Sequence, residues 1–248
     1  AASENRIVYK DDPRNADEHL KAAGKPIDYQ NRFIAIGNYG SIDDVFNYAQ
    51  TAINGTTASQ VIPGDLIYID FNGDGIINSN DKVVVDELNY PLTTIGFSFG
   101  FNWKGLNFSA MLYSPRNIYK LQFDQYLWDF PASNIRVQPK SMERWTPETA
   151  NSSGVMRPAT HLNNTYNKVE STYRYSDYSY IRLKNMEIGY TFPKKWLSEA
   201  HISNLQVYMN GNNLLTFWKG DKRVDPETGG VGSYPIVRTY TLGLRVSF

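Results

Sequence analysis

The sequence predicts an all-β fold built of antiparallel strands. Three observations predict it. Apolar side chains alternate with small or polar ones over several segments, the period-two signature of a strand. Helical 3.6-residue periodicity is confined to two short stretches. Aromatic residues make up 14% of the 248 residues, with 18 Tyr, 12 Phe and 5 Trp.

Taken in order, Asn5–Lys10 reads as a short first strand. Ser41–Gln50 is the best helix: Ser41 is placed to cap the amide of Asp44, and Val45, Phe46 and Tyr48 form a weak apolar face. In Thr94–Trp103, Ile95, Phe97, Phe99, Phe101 and Trp103 share one face, opposite Thr94, Gly96, Ser98, Gly100 and Asn102. Lys104-Gly105 makes a tight turn, and Leu106, Phe108, Ala110 and Leu112 carry a return strand. A second short helix is read over Gln138–Trp145. Tyr178–Phe192 alternates but slips phase near Lys184-Asn185, which predicts a bulge. Leu205–Leu214 alternates through Leu205, Val207 and Met209, and Tyr240–Phe248 alternates to the last residue.

Composition narrows the function. Lys+Arg and Asp+Glu are 25 each, so a neutral chain has no general attraction for nucleic acid. With no Cys, a disulfide framework, Cys-based zinc sites and a Cys nucleophile are excluded. Three His residues, His19, His161 and His201, argue against a His-rich metal site. Mean hydropathy is −0.47, and no run of 18 apolar residues reads as a membrane helix. The polar start, Ala1–Arg6, is no signal peptide, which leaves a cytoplasmic protein or a piece of a longer one.

Connections separate two versions of the fold. Lys104-Gly105 is very short and 193–204 moderate, whereas 11–93, 114–172 and 216–235 are long. Alternating short and long connections suit a membrane β-barrel with short periplasmic turns and long outer loops. In that orientation 94–103 descends and 240–248 ends in the periplasm. One such strand taken alone fits a soluble sandwich equally well, with its aromatic face turned to a dry core.

Residues 70–81 form the most specific chemical motif. Asp70, Asn72, Asp74, Asn78 and Asp81 place oxygens at positions 1, 3, 5, 9 and 12 of a calcium loop, with the Ile76 carbonyl also available and Gly75 at the sharp turn. Calcium wants six to eight hard oxygens, and this spacing wraps them round one ion, although position 12 is the shorter Asp. The expected metal ligands are Asp70, Asn72, Asp74, Ile76 and Asp81. The same residues also spell an Asn/Asp/Gly turn that binds nothing. Gly96-Phe97-Ser98-Phe99-Gly100 matches the G-x-S-x-G nucleophile elbow, but the alternation runs straight through Ser98 and a hairpin follows, so no catalytic residue is expected. Tyr173, Tyr175, Tyr178 and Tyr180 read as an interfacial aromatic girdle in preference to a stacking platform for sugars or peptides.

Four stretches together resemble the SusC/RagA-like TonB-dependent transporters of the bacterial outer membrane. They are Gly64–Asp70 followed by Asn72–Gly75; Glu143–Glu148 with Met156-Arg157-Pro158; Tyr180–Asn185 followed by Gly189–Pro193; and Asn210–Thr216 with Asp225-Pro226-Glu227, Tyr234-Pro235 and Arg238–Tyr240. Their order and spacing cover residues 21 to 248. The resemblance implies the C-terminal antiparallel strands of a large transmembrane β-barrel with long extracellular loops. It implies import of large nutrients, glycans or peptides, with a SusD-like surface lipoprotein as lid and TonB as energy source. It assigns no substrate ligand to a position here.

Plugged transporters have about 22 strands, against about six candidates here, so the expectation is an incomplete barrel. Strand 240–248 and residues 5–10 would then each face the remainder of the same barrel and plug. The competing expectation is a soluble extracellular calcium-binding β-module that binds carbohydrate, in which Phe97, Phe99 and Phe101 would lie inside a closed two-sheet core.

Overall fold

The computed structural model describes residues 5–14, 16–55, 60–85, 87–122, 139–150, 157–158, 165–218, 224–228 and 233–248. Among them two compact units form, one from 5–88 and 120–176 and the other from 89–119 and 177–248.

The first, the loop unit, is made of short strands: β1 (Gln30–Arg32), β2 (Ala35–Asn38), β3 (Gln50–Thr51), β4 (Leu66–Tyr68), β5 (Ile76–Ile77) and β6 (Val83–Val85). They pair β1 with β6 and β2 with β4 antiparallel, and β3 with β5 parallel. Its helix α1 (Ile42–Asn47) starts where the sequence places it. Ser41 Oγ accepts the amide of Asp44, and Asp44 reaches back to the amide of Ser41, which satisfies two amides the first turn leaves open. The helix stops at Asn47, short of Gln50, because Tyr48 turns extended. Phe33, Tyr39, Val45, Leu66, Tyr68, Ile77, Tyr166 and Val169 form its buried core.

Two expectations are corrected in this unit. Residues 5–10 form no strand: Ile7 exchanges backbone hydrogen bonds with Gly24 and Lys25, while Val8 and Tyr9 are exposed. Three consecutive apolar residues give no alternating face to bury, so no sheet recruits them. The second helix is a 3₁₀ segment, Pro139–Glu143; Gln138 lies outside the described residues.

The second, the sheet unit, carries β7 (Thr93–Trp103) and β8 (Leu106–Arg116). Two short strands, β9 (Tyr119–Leu121) and β10 (Tyr175–Asp177), mark where the chain leaves and re-enters it. Then come β11 (Tyr180–Thr191), helix α2 (Lys194–Leu197), β12 (Asn204–Trp218) and β13 (Thr239–Ser247). The five long strands form one antiparallel sheet in the order β13-β12-β11-β8-β7. Its edges are β7 and β13, so the free edge expected at residues 5–10 belongs to β7.

Register aligns the alternation across the sheet. Phe97 opposes Leu112, Phe101 opposes Phe108, Ile188 opposes Phe108 and Met209, and Met209 opposes Leu242. One face is therefore apolar from edge to edge. The predicted phase slip is present: pairing shifts between Leu183 and Asn185 against both neighbours. Lys184 is the extra residue against β8, which keeps Ile181 and Leu183 on the same face as Met186, Ile188 and Tyr190. Gly243 is needed by its neighbour, because a Cβ there would sit 2.4 Å from the Tyr208 ring that lies across it.

Candidate functional site: a two-faced sheet

The apolar face is uncovered. Phe97 is 58% exposed, Phe101 52%, Leu242 77% and Leu244 66%. Ile95, Phe99, Trp103, Ile188, Met209, Leu215, Phe217, Tyr240 and Val246 are exposed with them. A continuous apolar surface over five strands exceeds the patches that soluble monomers carry and calls for an apolar neighbour. The closed two-sheet core required by a soluble module is not what Phe97, Phe99 and Phe101 enter.

The opposite face is polar and internally bonded. Asn185 Nδ2 donates to Asn212 Oδ1 at 3.0 Å, Asn212 Nδ2 to Asn210 Oδ1 at 3.2 Å and to Thr239 Oγ1 at 3.3 Å, and Asn210 Nδ2 to Glu187 Oε2 at 3.4 Å. Arg245 donates to Gln206 and stacks over Tyr208. These side chains form a wet lane across β11, β12 and β13.

Arg182 stands at the upper end of that face and is 1% exposed. Its guanidinium donates to both Asp225 carboxylate oxygens at 2.8 and 2.9 Å, to Glu227 Oε2 at 2.8 Å and to Thr216 Oγ1 at 3.0 Å. Lys184 adds two bonds to Glu227 at 2.8 and 2.9 Å. A buried guanidinium is tolerated only when its charge and donors are met, and the 224–228 segment meets them. Sequence reasoning quoted Arg182 and Asp225-Pro226-Glu227 separately and missed the pairing. Its available signal was an arginine in phase with the polar face.

The loop unit has its own polar hub. Asp65 is fully buried: Asn167 Nδ2 donates to its Oδ1 at 2.7 Å and the Ile62 amide to its Oδ2 at 3.0 Å, while Asn167 Oδ1 accepts the Leu66 amide at 2.8 Å. Gly64–Asp70, singled out by resemblance, is thus a structural hub joined to a segment some hundred residues away. Likewise Trp145 donates its amide to the Arg157 carbonyl at 2.8 Å, uniting the two halves of another quoted stretch. Burial pushes the Tyr39 hydroxyl up, and the Tyr68 and Tyr166 hydroxyls well above the usual tyrosine range. It also raises the Glu87 carboxyl, against the pull of the Arg32 guanidinium it accepts from.

The expected metal ligands share one loop whose oxygens are engaged by its own backbone. Asp70 accepts the amides of Gly73 and Gly75, Asn72 that of Asp74, and Asp74 that of Ile76. Asp81, 1% exposed, accepts the amides of Phe71, Asn72 and Asn78. The Ile76 carbonyl accepts Asn78 Nδ2. Among the described residues no three His, Asp or Glu side chains converge as a metal cluster. Ser98 lies mid-strand opposite Met111, without the strand-to-helix turn of a nucleophile elbow. The tyrosine cluster is not a girdle. Tyr173 packs on the loop-unit core, while the Tyr175 ring lies under the Arg32 guanidinium and its hydroxyl donates to Glu170. In the sheet unit Tyr178 and Tyr180 are buried, beside Trp218 and Tyr113.

No family model matches the chain. It is 33% identical over 218 residues to TonB-dependent receptor P26 of Formosa agariphila, covering 79% of this chain and 20% of that protein. It is 28% identical over 200 residues to TonB-dependent receptor P3 of the same organism, covering 75% and 19%, and 24% identical over 194 residues to TonB-dependent receptor SusC of Bacteroides thetaiotaomicron, covering 75% and 18%. The fold matches the RagAB peptide importer in its open-open state with a TM-score of 0.60 at 21% identity, over 89% of this chain and 22% of that one. A further RagAB peptide transporter structure matches with a TM-score of 0.59 at 20% identity, over 92% and 23%. The chain thus spans about one fifth of the length of the relatives it matches. Sequence and fold together place it with the SusC/RagA-like TonB-dependent receptors.

Proposed function

We propose that this chain forms the C-terminal part of the wall of an outer-membrane TonB-dependent transporter that imports large nutrients, glycans or peptides. The observation that carries the reading is the two-faced sheet: an exposed apolar face for lipid and a bonded polar face for the lumen. Its edges, β7 and β13, leave backbone groups to be paired by the remainder of the same barrel, since an open edge in lipid costs several kcal/mol per unmet group. The plug fills that barrel, a SusD-like lipoprotein covers its mouth and TonB supplies energy through the part outside this chain. The SusC and RagAB likenesses support this assembly.

With no Cys in this chain, single cysteines placed in it, with any elsewhere in the receptor replaced, carry spin labels that test the reading. In the membrane-reconstituted full receptor, a label at Phe99→Cys should be relaxed by lipid-soluble oxygen, and one at Ser98→Cys by a water-soluble nickel chelate. Equal water access at both would sink the membrane reading. Co-purification of the co-expressed SusD-like lipoprotein with the tagged receptor tests the lid.

We also propose calcium as a ligand of the 70–81 loop, through Asp70, Asn72, Asp74, the Ile76 carbonyl and Asp81. The support is the spacing, and each carboxylate oxygen already facing an amide keeps a second lone pair for a cation. Calorimetric titration of the receptor with calcium should give heat that Asp74→Ala removes; equal heats would exclude the site.

A further inference from the structure

The short-turn end of the sheet combines exposed aromatics with exposed cations. Lys104-Gly105 turns β7 into β8, both residues at positive φ, 47° and 88°. A side chain at Gly105 would collide with the Thr191 carbonyl 2.5 Å away, and the Gly105 carbonyl accepts the Thr191 amide at 2.8 Å. The turn is therefore fastened to the end of β11, where the chain continues as Phe192-Pro193-Lys194-Lys195-Trp196. Leu197, buried, anchors α2. Trp103 is 63% exposed and Trp196 65%, and the Lys104 ammonium lies 5.2 Å from the Trp103 ring. The Tyr190, Phe192 and Trp196 rings follow one another at centroid distances of 5.1 and 6.2 Å.

Aromatic rings at such an edge fix the depth of a strand in a bilayer. They do not explain the lysines. Lys104, Lys194 and Lys195 are all exposed, and Glu199 is the one acid in 192–203. Three cations level with a ring belt stand where lipid phosphates lie. Resting on the membrane reading above, we propose that this collar binds anionic phospholipid headgroups of the leaflet on the short-turn side. The rings sit among the upper acyl carbons and the three ammonium groups take the phosphates.

Each lysine near an anionic surface strengthens attraction about fivefold, so three give roughly a hundredfold. The test uses the full receptor in nanodiscs of phosphatidylcholine with or without phosphatidylglycerol, with native mass spectrometry counting the lipids retained. Wild type should hold phosphatidylglycerol in preference to phosphatidylcholine. The triple variant Lys104→Gln, Lys194→Gln, Lys195→Gln should lose that preference, and the equally neutralised Lys10→Gln, Lys21→Gln, Lys25→Gln variant should keep it. Undiminished preference in the collar variant, or equal loss in both, overturns the proposal while the membrane reading stands. Failure of wild type to enter phosphatidylcholine discs would remove the membrane reading and the collar with it.

Discussion

The two units spend the same kinds of residue in opposite ways. The loop unit hides Leu66, Tyr68, Ile77 and Tyr166 and bonds Asp65 and Asn167 beneath them. The sheet unit turns Phe97, Phe101, Leu242 and Leu244 outward and gathers Asn185, Asn210, Asn212 and Arg182 on its other side. Hydrophobic burial explains the first arrangement, because apolar area is removed from water. In the second the apolar residues remain uncovered by protein, which fits the apolar surroundings proposed above. One chain thus carries two opposite arrangements, and substitutions should reveal which medium each residue meets.

The largest effect is expected at the ion cluster. Arg182→Ala leaves Asp225 and Glu227 without their guanidinium, and breaking such a buried pair costs about 3–5 kcal/mol. The heat-induced loss of folded-barrel migration in gels should move to much lower temperature. An unchanged transition would mean that the 224–228 segment contributes nothing to the sheet.

The contrast between faces comes next. Phe99→Arg places a cation on the lipid side at a cost of about 2–4 kcal/mol near the bilayer midplane. Ser98→Arg, its neighbour in β7, points to the lumen and should cost far less. Urea-unfolding midpoints in lipid vesicles measure both, and equal losses would erase the distinction between the faces.

In the loop unit, Asn167→Ala strands the Leu66 amide and an Asp65 oxygen, worth about 1–3 kcal/mol. The damage should be local: faster protease cleavage within 61–70 with the barrel transition unmoved. Simultaneous loss of both would show that the units unfold together.

The smallest effect is in alkali. Burial raises the Tyr39, Tyr68 and Tyr166 hydroxyls above the ordinary value of 10.0. A group with a raised folded pKa contributes stability that is complete below its unfolded value and is lost as pH rises through the folded one. The loop unit should therefore be at full strength at neutral pH and weaken above pH 10.0. Absorbance at the tyrosinate band should then include a cooperative step from the three buried rings as the loop unit opens, and a wholly gradual rise would contradict the buried cluster.

Legibility followed the same division. The sheet strands were readable because two unlike faces impose strict alternation: β7 and β13 begin one residue before their expected starts, and the slip at Lys184 is where the phase breaks. The loop unit was not, because its strands are two to four residues long and are held by partners far away in sequence. Thr172 supplies its hydroxyl to the Ala35 amide and Asn167 its side chain to Leu66, and neither residue sits in a periodic pattern. Ser41 was legible for the opposite reason, since its cap partner is three residues away. The tyrosine cluster misled because a ring with a hydroxyl suits an interface and a polar core equally.

The slip at Lys184 has a genetic consequence. Strand β11 holds one residue more than β8 needs at that point. Deleting Lys184 leaves the alternation unbroken from Ile181 through Tyr190, at the cost of its two bonds to Glu227. A one-codon deletion inside β8 has no surplus to absorb it and would turn half of that strand inside out, phenylalanine to the water and serine to the lipid. Length variation in this wall should therefore be tolerated at the bulge and selected against elsewhere along the strands.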